Sequence, residues 1–287
     1  MTALSISDII RLEIELTNTC NLDCPLCLRQ IHPELTVGKV KYRPATEIIA
    51  QLETYKNIKY ITIAGAISEP TLHPELFDIL KYCISRDLEI SLFINGDTHN
   101  ELYYKKLGLI FMKATGKVFF TICGSTQELH SKYRVNSNLS TVLSNLDIIQ
   151  KYSGKAVMTW IVFNYNEEDF NDNFHKFQDK YETEYFYTLP MDEHFELNSN
   201  IHLPQELQKI YAKVDRNDFK NIECPANNYK FILIDSMGFT NPCSLYKLYG
   251  DKHCFECSSN NSRLLRENKI YKVAEPESED SEQELRI

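Results

Sequence analysis

The chain has 287 residues, of which 43% are hydrophobic, which is enough to bury one large domain or one domain with a small appendage. Its formal net charge of −9 and the lack of a basic stripe argue against nucleic acid as a partner. The opening residues MTALSISDIIRLEIEL lack a basic segment followed by an apolar one, and no apolar run approaches the roughly 20 residues of a membrane span. We therefore expect a cytoplasmic protein without a membrane partner.

Six apolar, β-branched runs predict six strands, at residues 11–16, 59–65, 88–94, 117–122, 156–163 and 184–189. Amphipathic patterns between them predict helices, including one near residues 140–152 that Ser140 is placed to cap. Alternating strands and helices indicate a parallel sheet, and right-handed crossovers curl six such units into a partial barrel. The predicted fold class is therefore α/β, a partial (β/α)6 barrel with functional residues at the carboxyl ends of its strands.

Seven of the nine cysteines fall into two groups, and grouped thiols in a reducing compartment indicate metal binding more often than disulfides. The first group is Cys20, Cys24 and Cys27, in the sequence CNLDCPLC directly after the first predicted strand. A structural zinc site uses four protein ligands, and His32 is the only close candidate for a fourth. A [4Fe–4S] cluster on three thiolates instead keeps one iron open for an exogenous ligand, as a catalytic metal site requires.

The C-x3-C-x2-C spacing after the first strand of a β/α series resembles the signature of radical S-adenosylmethionine (SAM) enzymes. Three later segments resemble further motifs of this family in the same order: GAISEP at 65–70, INGD at 94–97 and FTICGSTQELHSKYR at 120–134. The resemblance implies a SAM-binding [4Fe–4S] cluster that cleaves SAM to methionine and a 5′-deoxyadenosyl radical, which then removes a substrate hydrogen. It also implies an electron donor such as flavodoxin or ferredoxin.

The same resemblance implies SAM contacts at seven positions near the carboxyl ends of the strands. These residues are Leu26, Gly65, Ser68, Glu69, Asn95, Thr121 and Arg134. Gly65 lets a backbone approach the ligand closely, and Leu26 offers backbone groups and an apolar surface to adenine. Glu69 is expected to accept from the SAM ammonium group, and Arg134 is expected to pair with the SAM carboxylate. Ser68 stands where the family more often has glycine. The alternative for Glu69 and Arg134 is an ordinary surface ion pair.

The second cysteine group consists of Cys224, Cys243, Cys254 and Cys257, and it flanks a predicted hairpin over residues 229–240. From the spacing alone, zinc and an iron–sulfur cluster are equally good occupants. After a radical SAM core, the arrangement resembles the twitch appendage, a truncated relative of the SPASM domain that holds an auxiliary [4Fe–4S] cluster. The predicted division is a core at 1–190, a twitch domain at 191–265 and an acidic, disordered tail at 266–287.

Cys123 stands where the family segment usually has aspartate, and strand alternation places it on the same face as Thr121. A thiol there can return a hydrogen atom to a substrate radical, which would make the enzyme an epimerase. The alternative is a small buried hydrophobe. The family resemblance thus leaves oxidation or epimerisation of a polar small molecule or peptide open. Other classes also stay open: a non-catalytic zinc-binding or interaction module, and an iron–sulfur electron carrier.

Overall fold

The computed structural model describes residues 6–31, 33, 42–65, 67–187, 231–234 and 240–241. The strands in this part of the chain are β1 (Arg11–Ile14), β2 (Tyr60–Ile63), β3 (Glu89–Ile94), β4 (Thr115–Ile122), β5 (Ala156–Val162), β6 (Glu182–Tyr187), β7 (Phe231–Ile234) and β8 (Thr240–Asn241). The helices are α1 (Leu28–Ile31), α2 (Ala45–Thr54), α3 (Leu76–Ser85), α4 (Glu101–Phe111), α5 (Gln127–Tyr133), α6 (Leu139–Ser153) and α7 (Glu167–Gln178). Among the described residues, no helix is both long enough and apolar enough to cross a membrane.

All eight strands belong to one sheet in the order β6-β5-β4-β3-β2-β1-β7-β8. Neighbouring strands from β1 to β6 pair in parallel, which confirms the six predicted strands and the α/β partial barrel. The largest differences are of two residues at strand ends: β1 and β2 end earlier than predicted, at Ile14 and Ile63, and β4 and β6 begin earlier, at Thr115 and Glu182.

The two faces of the sheet differ in polarity because strand residues alternate between them. One face packs against the helices through an apolar core that includes Leu12, Ile14, Ile61, Ile63, Ile90, Leu92, Val118 and Phe120. On the other face, inside the partial barrel, the strand register aligns Glu13, Thr62, Ser91 and Lys117 in one row. Strand β5 is buried along its whole length, as expected for a strand covered on both faces. The barrel interior is therefore partly polar, whereas its outer face forms the core.

Helix α6 begins one residue before the predicted cap. Asn138 is the N-cap, and its Oδ1 accepts from the backbone N–H of Thr141 at 2.9 Å. The prediction of Ser140 as cap is wrong, because Ser140 lies inside the first turn and its hydroxyl donates to Asn138 Oδ1 at 2.7 Å. Asparagine and serine are about equally good caps, so residue preference alone does not separate the two positions.

The C-terminal hairpin is present as β7 and β8, which pair antiparallel with Ile234 opposite Thr240. Strand β7 also pairs in parallel with β1, with Arg11 opposite Phe231. The hairpin lies within the stretch assigned to the twitch domain, residues 191–265. It therefore extends the barrel sheet and covers the edge of β1, which would otherwise expose unpaired backbone groups. The boundary at residue 190 stays a prediction, and Cys224, Cys243, Cys254 and Cys257 lie outside the described residues.

Candidate functional site

The loops that follow β1, β2, β3 and β4 meet at the carboxyl edge of the sheet, as predicted. Glu69, after β2, donates its backbone N–H to the carbonyl of Thr19, after β1, at 2.7 Å. Asn95, after β3, donates from Nδ2 to the sulfur of Cys20 at 3.2 Å. Parallel strands end at the same edge, so residues far apart in sequence form one site.

The cysteine trio lies on the loop between β1 and α1. Cys24 is buried and Cys20 and Cys27 are half-buried, and none of the five described cysteines forms a disulfide. Burial, partly offset by the positive charge of Arg134, raises the pKa of the Cys24 thiol to about 11. Burial also raises the pKa of Cys27. Ligand binding at these thiols therefore has to release protons.

The donor set of this loop fits an iron–sulfur cluster better than one metal ion. Within the described part of the chain, no three His, Cys, Asp or Glu side chains converge on a single ion position. A cubane takes each thiolate at a different iron, whereas a structural zinc site needs four ligands around one point. His32, the candidate fourth zinc ligand, lies outside the described residues.

Arg134 is a buried cation beside the trio, with 9% of its surface exposed. Its Nη2 donates to Asn95 Oδ1 at 2.7 Å, but its Nε has no hydrogen-bond partner within the described residues. Burial alone would lower the pKa of Arg134, but nearby groups, chiefly the thiols of Cys24 and Cys123, produce a net rise. A buried guanidinium with an unused donor is costly unless an anion binds to it. This geometry therefore contradicts the alternative in which Arg134 and Glu69 form an ordinary ion pair at the surface.

Glu69 is buried and connects two of the loops. Its Oε1 accepts from the backbone N–H of Thr71 at 3.1 Å and from the Thr71 hydroxyl, and its Oε2 accepts from the backbone N–H of Asn95 at 2.7 Å. Burial raises the pKa of Glu69 to about 7 despite these bonds. A carboxylate offers about four acceptor positions, so little acceptor capacity is left for a ligand ammonium group.

Gly65 and Ser68 belong to the same tight loop after β2. A Cβ at Gly65 would lie 2.1 Å from Ser68 Oγ and 2.4 Å from the Ser68 carbonyl oxygen. The glycine is therefore required by the close approach of Ser68, before any ligand is considered. Ser68 Oγ is itself buried without a hydrogen-bond partner in the described chain, and an unsatisfied buried hydroxyl indicates that a ligand or water completes the site.

Cys123 is fully buried at the end of β4. It belongs to an apolar cluster with Leu22, Cys24, Tyr133, Ile161 and Phe163, against which Leu26 packs. Burial strongly raises the pKa of its thiol. Two residues earlier, Thr121 is only half-buried and lies on the same face as Cys123. Cys123 therefore packs beside the cysteine loop, whereas Thr121 lies on the inner face of the barrel, two residues closer to the amino-terminal end of β4.

Sequence reasoning missed two residues that hold these loops together. His130 is fully buried and accepts at Nδ1 from the backbone N–H of Cys123 at 3.3 Å, while its Nε2 lies 3.0 Å from Ser137 Oγ. Asn21 bridges the side chains of Asn95 and Asp97, at 2.6 and 2.8 Å. The only sequence signal for Asn21 is its place next to Cys20, and nothing in a single sequence singles out His130.

Comparison with known proteins agrees with this geometry. A family model described as the Radical SAM superfamily matches residues 14–177. Over 96 residues the chain is 31% identical to a tungsten-containing aldehyde ferredoxin oxidoreductase cofactor-modifying protein of Pyrococcus furiosus, a match that covers 33% of this chain and 26% of that protein.

Two solved structures share the fold. One is Streptococcus suis SuiB bound to precursor peptide SuiA, with a TM-score of 0.53 and 13% identity, covering 84% of this chain and 61% of that chain. The other is anSMEcpe with bound AdoMet (SAM), with a TM-score of 0.59 and 18% identity, covering 83% of this chain and 75% of that chain. The chain thus spans less than two thirds of SuiB and about a quarter of the Pyrococcus protein.

Proposed function

Because the chain belongs to the radical SAM superfamily, we propose that it cleaves SAM reductively and uses the 5′-deoxyadenosyl radical to remove a hydrogen atom from a polar substrate. Cys20, Cys24 and Cys27 would hold a [4Fe–4S] cluster through one thiolate each. When bound, the cluster supplies the electron that breaks a carbon–sulfur bond of SAM, and it offers SAM an open iron. Methionine and the radical are the products of that cleavage.

Arg134 is the observation that carries the proposal. None of the ion pairs in the described part of the chain involves this residue, although it is buried and its Nε is unpartnered. The SAM carboxylate would supply the missing anion next to the cysteine loop. A charge-assisted pair formed in a desolvated site is among the stronger hydrogen bonds in proteins.

Other residues of the site would orient SAM without taking part in electron transfer. Ser68 can offer its unpartnered hydroxyl to a polar group of SAM, while Gly65 allows the loop that presents it. Glu69 holds the loops and would offer its remaining acceptor position to the SAM ammonium group. Leu26 provides apolar surface for adenine, and Thr121 faces the interior where the radical would form.

A second, auxiliary [4Fe–4S] cluster on Cys224, Cys243, Cys254 and Cys257 is part of the proposal. The described strands β7 and β8 support it, because they form the hairpin that Cys224 and Cys243 flank in the sequence. Zinc in the same quartet is the competing occupant.

The substrate class we propose is a peptide or another polar small molecule. The SuiB structure that shares this fold contains a precursor peptide, and the inner face of the barrel carries the polar row of Glu13, Thr62, Ser91 and Lys117. The hydroxyl and carboxyl groups of this row can satisfy polar substrate groups that an apolar interior would leave unpaired, whereas the Lys117 ammonium group already pairs with Glu182. A cytoplasmic flavodoxin or ferredoxin would supply the electrons.

The described site favours oxidation over epimerisation through Cys123. In oxidation, the substrate radical loses one electron, to the auxiliary cluster, and one proton, so no hydrogen donor is needed. In epimerisation, a thiol returns a hydrogen atom and becomes a thiyl radical that must be reduced again. Cys123 is fully buried against Cys24 and Phe163, so donation would require it to open towards the interior.

Substitution of Arg134 tests the proposal. After anaerobic reconstitution with iron and sulfide, Arg134→Ala should keep its iron but bind SAM roughly ten- to a hundredfold more weakly. This factor corresponds to the loss of one charged hydrogen bond, which is worth about 1.5–3 kcal/mol. Arg86→Ala is the matched control. Arg86 donates to the backbone carbonyls of Leu52 and Tyr55 at 3.1 and 3.2 Å, at the opposite edge of the sheet.

Three outcomes would contradict the proposal. Equal SAM affinity in the wild type and Arg134→Ala would remove Arg134 from the binding site. A colourless wild-type protein that holds only zinc would indicate a structural metal module. A brown wild-type protein that forms no 5′-deoxyadenosine from SAM under reduction would indicate an electron carrier.

A further inference from the structure

The side-chain amide of Asn95 has a single possible orientation. Arg134 carries only donors, so its Nη2 at 2.7 Å must face the Asn95 carbonyl oxygen. The Asn95 amide nitrogen therefore points the other way, at 3.2 Å from Cys20 Sγ and 2.6 Å from Asn21 Oδ1. Both amide hydrogens thus have acceptors, one of which is the sulfur of the first cysteine in the trio.

These bonds form a directed chain between two charges. Asn21 continues it by donating from Nδ2 to Asp97 Oδ1 at 2.8 Å. Donors and acceptors therefore alternate from the Arg134 guanidinium, through Asn95 and Asn21, to the Asp97 carboxylate. Hydrogen bonds linked head to tail polarise one another. The amide N–H of Asn95 next to Cys20 is consequently a stronger donor than an isolated amide.

The backbone fixes Asn95 in this place. Its N–H donates to Glu69 Oε2 at 2.7 Å. The next residue, Gly96, has a φ of +89° that favours glycine, and its carbonyl accepts from Asn145 Nδ2 at 2.8 Å. The amide is therefore preorganised towards Cys20 and does not depend on a mobile side chain.

Resting on the function proposed above, we propose that Asn95 is a positioning residue that sets the reduction potential of the SAM-binding cluster. Its hydrogen bond to Cys20 draws electron density from the thiolate and so favours the more negative, reduced cluster; hydrogen bonds to sulfur are a known means of tuning such potentials. Through its carbonyl the same amide aims Arg134 at the SAM carboxylate. One side chain would thus couple electron entry to SAM binding.

The test is a redox titration monitored by electron paramagnetic resonance. It uses the cluster signal that changes when SAM is added, so that the second cluster does not interfere. Asn95→Ala removes the bond to Cys20. Asn95→Asp removes the donors but keeps an acceptor for Arg134. In both variants we expect about a tenfold lower ratio of reduced to oxidised cluster at a given potential, which corresponds to about 59 mV for one electron.

Asn145→Ala is the matched control, because it removes an anchor of the same turn without touching a sulfur. It should leave the potential at the wild-type value. An unshifted potential in Asn95→Ala would overturn the proposal, and so would a shift confined to Asn95→Asp, which would be an effect of added charge. An equal shift in Asn145→Ala would reduce Asn95 to a structural role. Loss of bound iron in both Asn95 variants, with wild-type iron retained in Asn145→Ala, would instead mean that Asn95 is needed for cluster assembly. A wild-type protein without the SAM-responsive signal would refute the proposed function itself.

Discussion

Glu13 is a carboxylate inside the barrel that no described side chain neutralises. It alternates with Leu12 and Ile14, which lie in the core on the other face of β1. Burial and the nearby Glu15 raise its pKa from 4.5 to about 7. The folded state therefore holds a proton on Glu13 at pH values where the unfolded chain has lost it.

The sign of the resulting pH effect follows from proton linkage. Below pH 4.5 the group is protonated in both states and contributes nothing, and as the pH rises to about 7 its ionisation increasingly destabilises the fold. Glu13→Gln should therefore raise the free energy of unfolding by about 1–3 kcal/mol above pH 7. Denaturant unfolding of both proteins at pH 4, 6 and 8 measures this. Equal differences at pH 4 and pH 8 would show that the effect is not ionisation.

At the scale of residues, the sequence singled out those that belong to family motifs. The roles proposed for Cys20, Cys24, Cys27 and Arg134 rest on motif spacing and position, because family signatures include these positions. The bonds of Asn95 to Cys20 and of Asn21 to Asp97 were not predictable, because they join residues about 75 positions apart through side-chain orientation. Such contacts depend on where loops meet, which a local pattern does not contain.

At the scale of elements, the N-terminus of α6 depends on one side chain. Asn138 Oδ1 accepts from the backbone N–H of Thr141 at 2.9 Å and from its hydroxyl at 3.0 Å. Asn138→Ala should lower the free energy of unfolding by about 1 kcal/mol, with a range of about 0.5–2. Ser140→Ala is the control and should change it by less than about 0.5 kcal/mol. A larger loss in Ser140→Ala than in Asn138→Ala, measured by chemical denaturation, would return the cap to Ser140.

The strands were easier to predict than the cap. Apolar, β-branched runs such as AVMTWIV in β5 are buried on both faces. Such a run is recognised as a strand even when its predicted bounds are wrong by one or two residues. The pairing of β7 with β1 was not foreseen. A hairpin signal is local, whereas the choice of sheet edge depends on which edge the rest of the fold leaves uncovered.

At the scale of the whole molecule, the chain separates two cysteine groups by almost 200 residues. The first lies at the carboxyl edge of the sheet, where Arg134 and Asn95 surround it. The second flanks, in the sequence, a hairpin whose first strand, β7, pairs with β1. The proposed enzyme thus has a SAM-cleaving centre on the first group and a separate electron-accepting centre on the second.

The most direct test of this account counts iron and 5′-deoxyadenosine in two cysteine variants reconstituted anaerobically. Wild-type protein should bind about eight iron atoms, four for each cubane. Replacing Cys20, Cys24 and Cys27 by alanine should leave about four and abolish 5′-deoxyadenosine formation from SAM. Replacing Cys224, Cys243, Cys254 and Cys257 should also leave about four, yet SAM should still be cleaved. Unchanged iron and undiminished SAM cleavage in the first variant would contradict the assignment of the SAM-binding cluster to Cys20, Cys24 and Cys27.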